Sequence, residues 1–182
     1  MCSKLQVVES AMSAVLALML IYGCGHVHCA TVPRNNSTDV LALINFRQAI
    51  TRDPRGFFSS WNNSVDYCNW NGVTCSKTHL GRVRELNLTG QSLDGQISPS
   101  LGNLTLLKIL DLSSNSFPDN QLEGSIPEEL GQLSSMVKLE VGGNKLSGSI
   151  PTAIFNHSSL QILDVNKFSI YGITGYDWQY PS

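Results

Sequence analysis

Three carboxylates, Asp111, Glu140 and Asp164, hold the same place in successive copies of one short segment. The copies read Leu110-Asp111-Leu112, Leu139-Glu140-Val141 and Leu163-Asp164-Val165, and an earlier one, Leu86-Asn87-Leu88, carries asparagine there. If the copies are neighbouring strands, successive side chains of this column stand about 4.8 Å apart. Carboxylates that close repel one another unless a cation compensates. Lys138 belongs to a parallel column, Glu85, Ile109, Lys138 and Ile162, and is the obvious counter-ion. A third column reads Thr89, Ser113, Gly142 and Asn166. Two uses are open: a solvated face with Lys138 alongside, or a patch for a basic peptide or partner loop. Paired carboxylates also perform glycoside hydrolysis, but a shallow strand face lacks the pocket that reaction needs.

Other reactive groups are sparse. Beyond the first 30 residues the cysteines are Cys68 and Cys75 and the histidines His79 and His157. A zinc site needs four ligands, and only His79 lies near the two cysteines. Redox catalysis favours Cys-x-x-Cys, which the wider Cys68–Cys75 gap does not match. The nucleophile-elbow, zinc-protease and phosphate-loop motifs are missing. The expectation is a protein that is not an enzyme, with no catalytic residues, no cofactor and no metal.

The elements that must position the acidic column are themselves repeated. Leu86, Leu110, Leu139 and Leu163 recur at intervals of 24, 29 and 24 residues. That period means stacked repeats of the leucine-rich kind. Each Leu-x-Leu core alternates apolar and polar residues, the signal of a half-buried strand with leucines inward. Asparagines after the strand (Asn144, and Asn115 or Asn120) can bond unpaired backbone groups and stack as a ladder. A second phrase follows, from Leu93, Leu122 and Leu146, as Leu-x-Gly-x-Ile with proline nearby. Its Gly95, Gly124 and Gly148 permit backbone angles barred to other residues. Pro127 and Pro151 suit a convex-side turn. Leu101, Leu104, Leu130, Leu133 and Leu160 close the core. The long interval falls at Asn115–Leu122, where Asn-x-apolar occurs twice, as at an imperfect join.

The N-terminus reads as a secretory signal over 1–30, with Lys4 before an apolar run from Ala11 to Tyr22. That run is too short to span a bilayer, which takes about 20 residues. Cleavage after Gly25, Cys29 or Ala30 is open, as is an uncleaved anchor; the later sites leave Cys68 and Cys75 as an even pair. No later apolar stretch is long enough to insert, so the mature chain is expected to stay out of the membrane. In an oxidising compartment Cys68 and Cys75 can form a disulfide. Export also gives meaning to the glycosylation sequons at Asn35, Asn36, Asn62, Asn87, Asn103 and Asn156. Asn87 lies between two inward leucines, so a glycan there would obstruct part of the strand surface. The net charge of −2 offers no footprint for nucleic acid.

Residues 31–80 have a different grammar. Ser37, Thr38 or Asp39 can cap a helix starting near Val40, with Ala42, Leu43, Phe46 and Ile50 on one face. Asp53-Pro54-Arg55-Gly56 signals a turn. Trp61 and Trp70 read as core of a cap, because the first repeat of a solenoid must not expose its apolar end. The run from Asp39 to Phe46, then Asp53-Pro54-x-Gly56, Ser60-Trp61-Asn62 and Cys68-x-Trp70-x-Gly72-Val73-x-Cys75, resembles the N-terminal cap of plant leucine-rich-repeat proteins. With Leu-x-Gly-x-Ile-Pro, the chain is similar to the start of plant leucine-rich-repeat receptor-like kinase ectodomains.

The resemblance implies an α/β repeat: a short right-handed solenoid with parallel strands on its concave face and a helical, disulfide-stapled N-terminal cap. Repeats are expected over 81–165, about three complete and one partial, and a divergent tail over 166–182, where Phe168 replaces the expected asparagine. It implies a secreted or cell-surface module in signalling or defence, in the apoplast or cell wall, or at the plasma membrane as part of a longer receptor. The partner would be a peptide or protein ligand or another leucine-rich-repeat receptor, met by exposed strand positions: Glu85, Asn87, Asp111, Lys138, Glu140 and Asp164. An inhibitor of microbial cell-wall hydrolases shares the cap and repeat and is the alternative. Membrane span and kinase motifs are missing, so a truncated receptor product is expected, with an improvised apolar cap as the other reading of the tail.

Overall fold

The structure is a computed structural model and describes residues 38–114 and 122–166. Among the described residues helix α1 (Thr38–Ala49) comes first. Nine short strands follow among the described residues: β1 (Ile50–Arg52), β2 (Val73–Cys75), β3 (Val83–Asn87), β4 (Asp94–Gln96), β5 (Ile109–Asp111), β6 (Leu122–Gly124), β7 (Lys138–Glu140), β8 (Lys145–Leu146) and β9 (Ile162–Asp164). A single helical turn, α2 (Thr152–Phe155), precedes β9.

Two sheets organise the coils. The larger runs β2-β3-β5-β7-β9, antiparallel at β2–β3 and parallel thereafter. The alternation read from the Leu-x-Leu cores explains it. Leu86, Leu110 and Leu139 point inward and are fully buried, as are Leu88 and Leu112 two residues on. The ladder extends one residue past the strands, where Leu88, Leu112 and Val141 donate to the carbonyls of Asp111, Glu140 and Asp164, each at 2.8 Å.

The second sheet, β1-β4-β6-β8, is a finding that the sequence reading did not contain. Short strands begin in or beside the Leu-x-Gly phrases: β4 and β6 include Gly95 and Gly124, while β8 ends at Leu146, before Gly148. Gly95, Gly124 and Gly148 do take positive φ, at 133°, 82° and 95°. The prolines follow these strands and start helical turns: Pro99–Asn103 and Glu128–Gln132 are 3₁₀, and α2 takes the equivalent place. Leu101, Leu104, Leu130 and Leu133 are fully buried there, while Leu160 is only partly so.

The cap closes the first coil with α1 and aromatics. Trp61 and Trp70 stack with centroids 5.1 Å apart, and Phe58 meets Trp61 edge-on at 4.7 Å. Both indole N–H groups are satisfied by backbone carbonyls, Trp61 by Asn71 and Trp70 by Val65 and Asn62. The Cys68–Cys75 disulfide pins the 3₁₀ turn Tyr67–Asn69 to β2. Asp39 corrects one expectation. It lies inside the helix rather than capping it, and its buried carboxylate accepts from Val83 N at 2.7 Å and Arg82 Nε at 3.0 Å. Arg82 also donates to Thr105 Oγ1 at 2.7 Å, so one carboxylate ties the cap helix to the first two coils. Asn144 bonds backbone groups as expected: its amide donates to the carbonyls of Leu112 and Val141 at 2.9 and 2.8 Å. The 1–30 segment, Asn35, Asn36, the Asn115–Asn120 join and the tail from residue 167 lie outside the described residues.

Candidate functional site

The larger sheet presents its outer positions in strict register. Asn87 pairs with Asp111, Asp111 with Glu140, and Glu140 with Asp164; beside them run Glu85, Ile109, Lys138 and Ile162. Parallel pairing without slippage follows from the buried leucines, since a shift of one residue would turn them to water.

Within the acidic column the members differ. Asn87, Asp111 and Asp164 share a local device: the side-chain oxygen accepts from the backbone N–H two residues on, at Thr89 (3.1 Å), Ser113 (3.1 Å) and Asn166 (2.9 Å). Such Asx turns stop the strand and re-aim the chain. Glutamate is one methylene too long for this, so Glu140 departs from the pattern. Its carboxylate instead meets Lys138 Nζ at 2.6 Å, and the same ammonium lies 3.7 Å from Asp111. Lys138 therefore stands as the counter-ion of the column. Gly142 leaves room for the last member, since a Cβ there would sit 2.7 Å from an Asp164 carboxylate oxygen.

The electrostatics follow from this packing. Burial works to raise the Asp111 carboxyl, but hydrogen bonds with Glu140, Ser113 and Thr89 outweigh it and hold the group below the ordinary aspartate value. Glu140 is raised above the ordinary glutamate value. Burial is the largest cause, the Asp111 carboxylate adds to it, and together they overcome the opposing pull of Lys138. Lys138 is raised, chiefly by its hydrogen bond to Glu140. Asp111 is only 6% exposed, so its carboxylate is largely withheld from contact at the surface. Glu140, Asp164 and Lys138 are part-exposed and form the accessible charged end; Glu85 is half-buried and Asn87 exposed at the other end. His79 and His157 stay apart from the column: His79 bonds Thr78, and His157 Nε2 bonds the Gly131 carbonyl at 2.7 Å. The Asx-turn pattern was the signal sequence reading missed, visible as Asn/Asp-x-Thr/Ser/Asn in three of the four copies.

Comparison with known proteins agrees with this architecture. The leucine rich repeat N-terminal domain matches residues 36–76, and the leucine rich repeat matches residues 82–104 and 106–133. The chain belongs to the leucine-rich-repeat family. Phytosulfokine receptor 1 of Arabidopsis thaliana is 38% identical over 124 residues, which is 68% of this leucine-rich-repeat chain and 12% of the receptor. The chain thus spans a small part of the curated relatives it matches. Among solved structures, the BIR3–SERK2 complex from Arabidopsis thaliana is similar with a TM-score of 0.63 at 34% identity, covering 72% of this chain and 70% of that one. The Arabidopsis receptor kinase HAESA, in complex with the peptide hormone IDA and the co-receptor SERK1, gives a TM-score of 0.59 at 27% identity, covering 74% of this chain and 22% of that one.

Proposed function

We propose that this chain is a secreted or cell-surface binding module that recognises a peptide or protein on the exposed face of its larger sheet. The in-register columns of polar side chains carry the reading. They give a ligand evenly spaced charged and polar groups on a stiff frame, which is what preorganised recognition needs. The kinship with receptors, one solved with a peptide hormone and co-receptor, supports a ligand of that class. The ligand would carry positive charge. Lys138 neutralises one of the two accessible carboxylates, and Asp111 adds its field, leaving Asp164 to draw a cation. In this reading residues 31–80 act as the cap and 81–165 as the recognition array.

Among the described residues no helix is long and apolar enough to cross a membrane. The extracellular placement rests on the N-terminal apolar run, the sequons and the disulfide. The test is a selection of random peptides on the immobilised full chain. Enriched peptides should be cationic and should lose at least about tenfold in affinity, roughly 1.4 kcal/mol, on the double variant Glu140→Lys/Asp164→Lys. Peptides that bind both forms equally would sink the proposal.

A further inference from the structure

We propose that Asn87 carries an N-linked glycan that roofs the N-terminal part of the strand face, confining ligand contact to the Lys138–Glu140–Asp164 end. The inference rests on the export reading above and adds a boundary to the face.

Four sequons lie among the described residues, and all four asparagines are exposed. Their places in the fold differ. Asn62 lies in the cap, where its amide nitrogen already donates to the Ser59 carbonyl at 3.1 Å. Asn103 ends the 3₁₀ turn Pro99–Asn103, and Asn156 ends α2, so both lie on the helical return of their coils. Asn87 alone of the four lies on the larger sheet, as the last residue of β3. Its neighbours Leu86 and Leu88 are fully buried, so its own side chain stands on the opposite, solvent side. The side-chain oxygen is held by Thr89 N at 3.1 Å. That contact fixes the amide plane, and the nitrogen is the atom the sugar takes.

The chemistry needs a co-reactant that the secretory route supplies: an oligosaccharide joined to a lipid pyrophosphate. The Asn87 amide nitrogen forms a bond to the anomeric carbon, the carbon–oxygen bond to the lipid pyrophosphate breaks, and the amide proton passes to a base of the transferase. Nothing is oxidised or reduced. Inside the fold the product has room, since the position faces solvent. Its effect follows from spacing. Asp111 is the next column member, about one strand spacing away, and Glu85 lies two residues back on the same strand. A bulky, hydrated glycan on Asn87 covers both. Glu140 and Asp164, two and three strands along, stay open.

The full chain, with its own N-terminus, would be expressed in a eukaryotic secretory host. Medium protein is treated with peptide N-glycosidase in heavy-oxygen water, and Asn87 should return as labelled aspartate in most molecules. Carbodiimide labelling of the untreated protein reads the roof. Glu85 should label several-fold more in Asn87→Gln than in wild type, while Glu123 on the smaller sheet should not change. Asn87→Asp keeps the acceptor for Thr89 and should behave like Asn87→Gln, guarding against a folding defect. Secreted protein with other sequons filled and Asn87 bare overturns this inference alone. Equal Glu85 labelling in wild type and variants overturns the roof. A chain that stays in the cell with every sequon bare overturns both this inference and the export reading.

Discussion

Replacing Asp39 tests how the cap is held to the repeats. Its carboxylate is fully buried and makes two contacts, with the buried Val83 N at 2.7 Å and with Arg82 Nε at 3.0 Å. In Asp39→Ala the Val83 N–H is left buried without its acceptor, which costs about 1–3 kcal/mol. The Arg82 contact adds less, about 0.5–1 kcal/mol, because the arginine side chain is 36% exposed and water screens it. The expected total is about 1.5–4 kcal/mol. With a urea m-value of about 2 kcal/mol/M, the midpoint should fall by about 0.8–2 M at unchanged m. Asp39→Asn keeps one oxygen for Val83 but loses the charge and the oxygen that accepts from Arg82 Nε, so its midpoint should fall by less than that of Asp39→Ala. Urea unfolding followed by tryptophan fluorescence reads both variants through the stacked Trp61 and Trp70. A fall below about 0.3 M for Asp39→Ala, or an equal fall for both variants, would refute the reasoning.

Three further outcomes follow from the same packing. Replacing Cys68 and Cys75 by serine opens a loop with a sequence separation of 7; the loop-entropy model gives a loss of about 2.5 kcal/mol, read as a lower melting temperature that reductant no longer changes. Gly72→Ala should cost more than about 1–3 kcal/mol, because φ is +77° and the new Cβ would sit 2.3 Å from the Asn87 carbonyl oxygen; wild-type stability would be the contrary result. Glu140, raised in the fold, adds stability below its unfolded value and loses it as pH rises through the folded one, while Asp111, lowered, adds stability above its unfolded value and loses it as pH falls through the folded one. Wild type should therefore gain more over Glu140→Gln near about pH 4 than at neutral pH, and Asp111→Asn should show the opposite order, by urea unfolding at each pH.

Much of the site was legible from one fact, the spacing of Leu86, Leu110, Leu139 and Leu163. Because buried leucines fix register, the spacing also fixed which polar residues are neighbours, and the pairs Asn87–Asp111–Glu140–Asp164 are those the structure shows. Three things were not legible. Asp111 looks like an exposed carboxylate in sequence, yet Ser113 and its neighbours fold over it. Asp39 looks like a helix cap, and only the three-dimensional meeting of α1 with β3 turns it into a clamp. The smaller sheet was hidden because its strands are two or three residues long and β4 and β6 carry glycine, a composition that reads as turn.

In the proposed function the open end of the larger sheet binds a cationic peptide. The most direct measurement is the affinity of a selected cationic peptide for wild type, for Glu140→Lys/Asp164→Lys, and for Glu123→Lys on the smaller sheet, by calorimetry at two salt concentrations. Binding at that end requires at least about tenfold weaker binding for the double variant, no change for Glu123→Lys, and weaker wild-type binding at high salt. Equal loss in both variants, or binding indifferent to either, would contradict it.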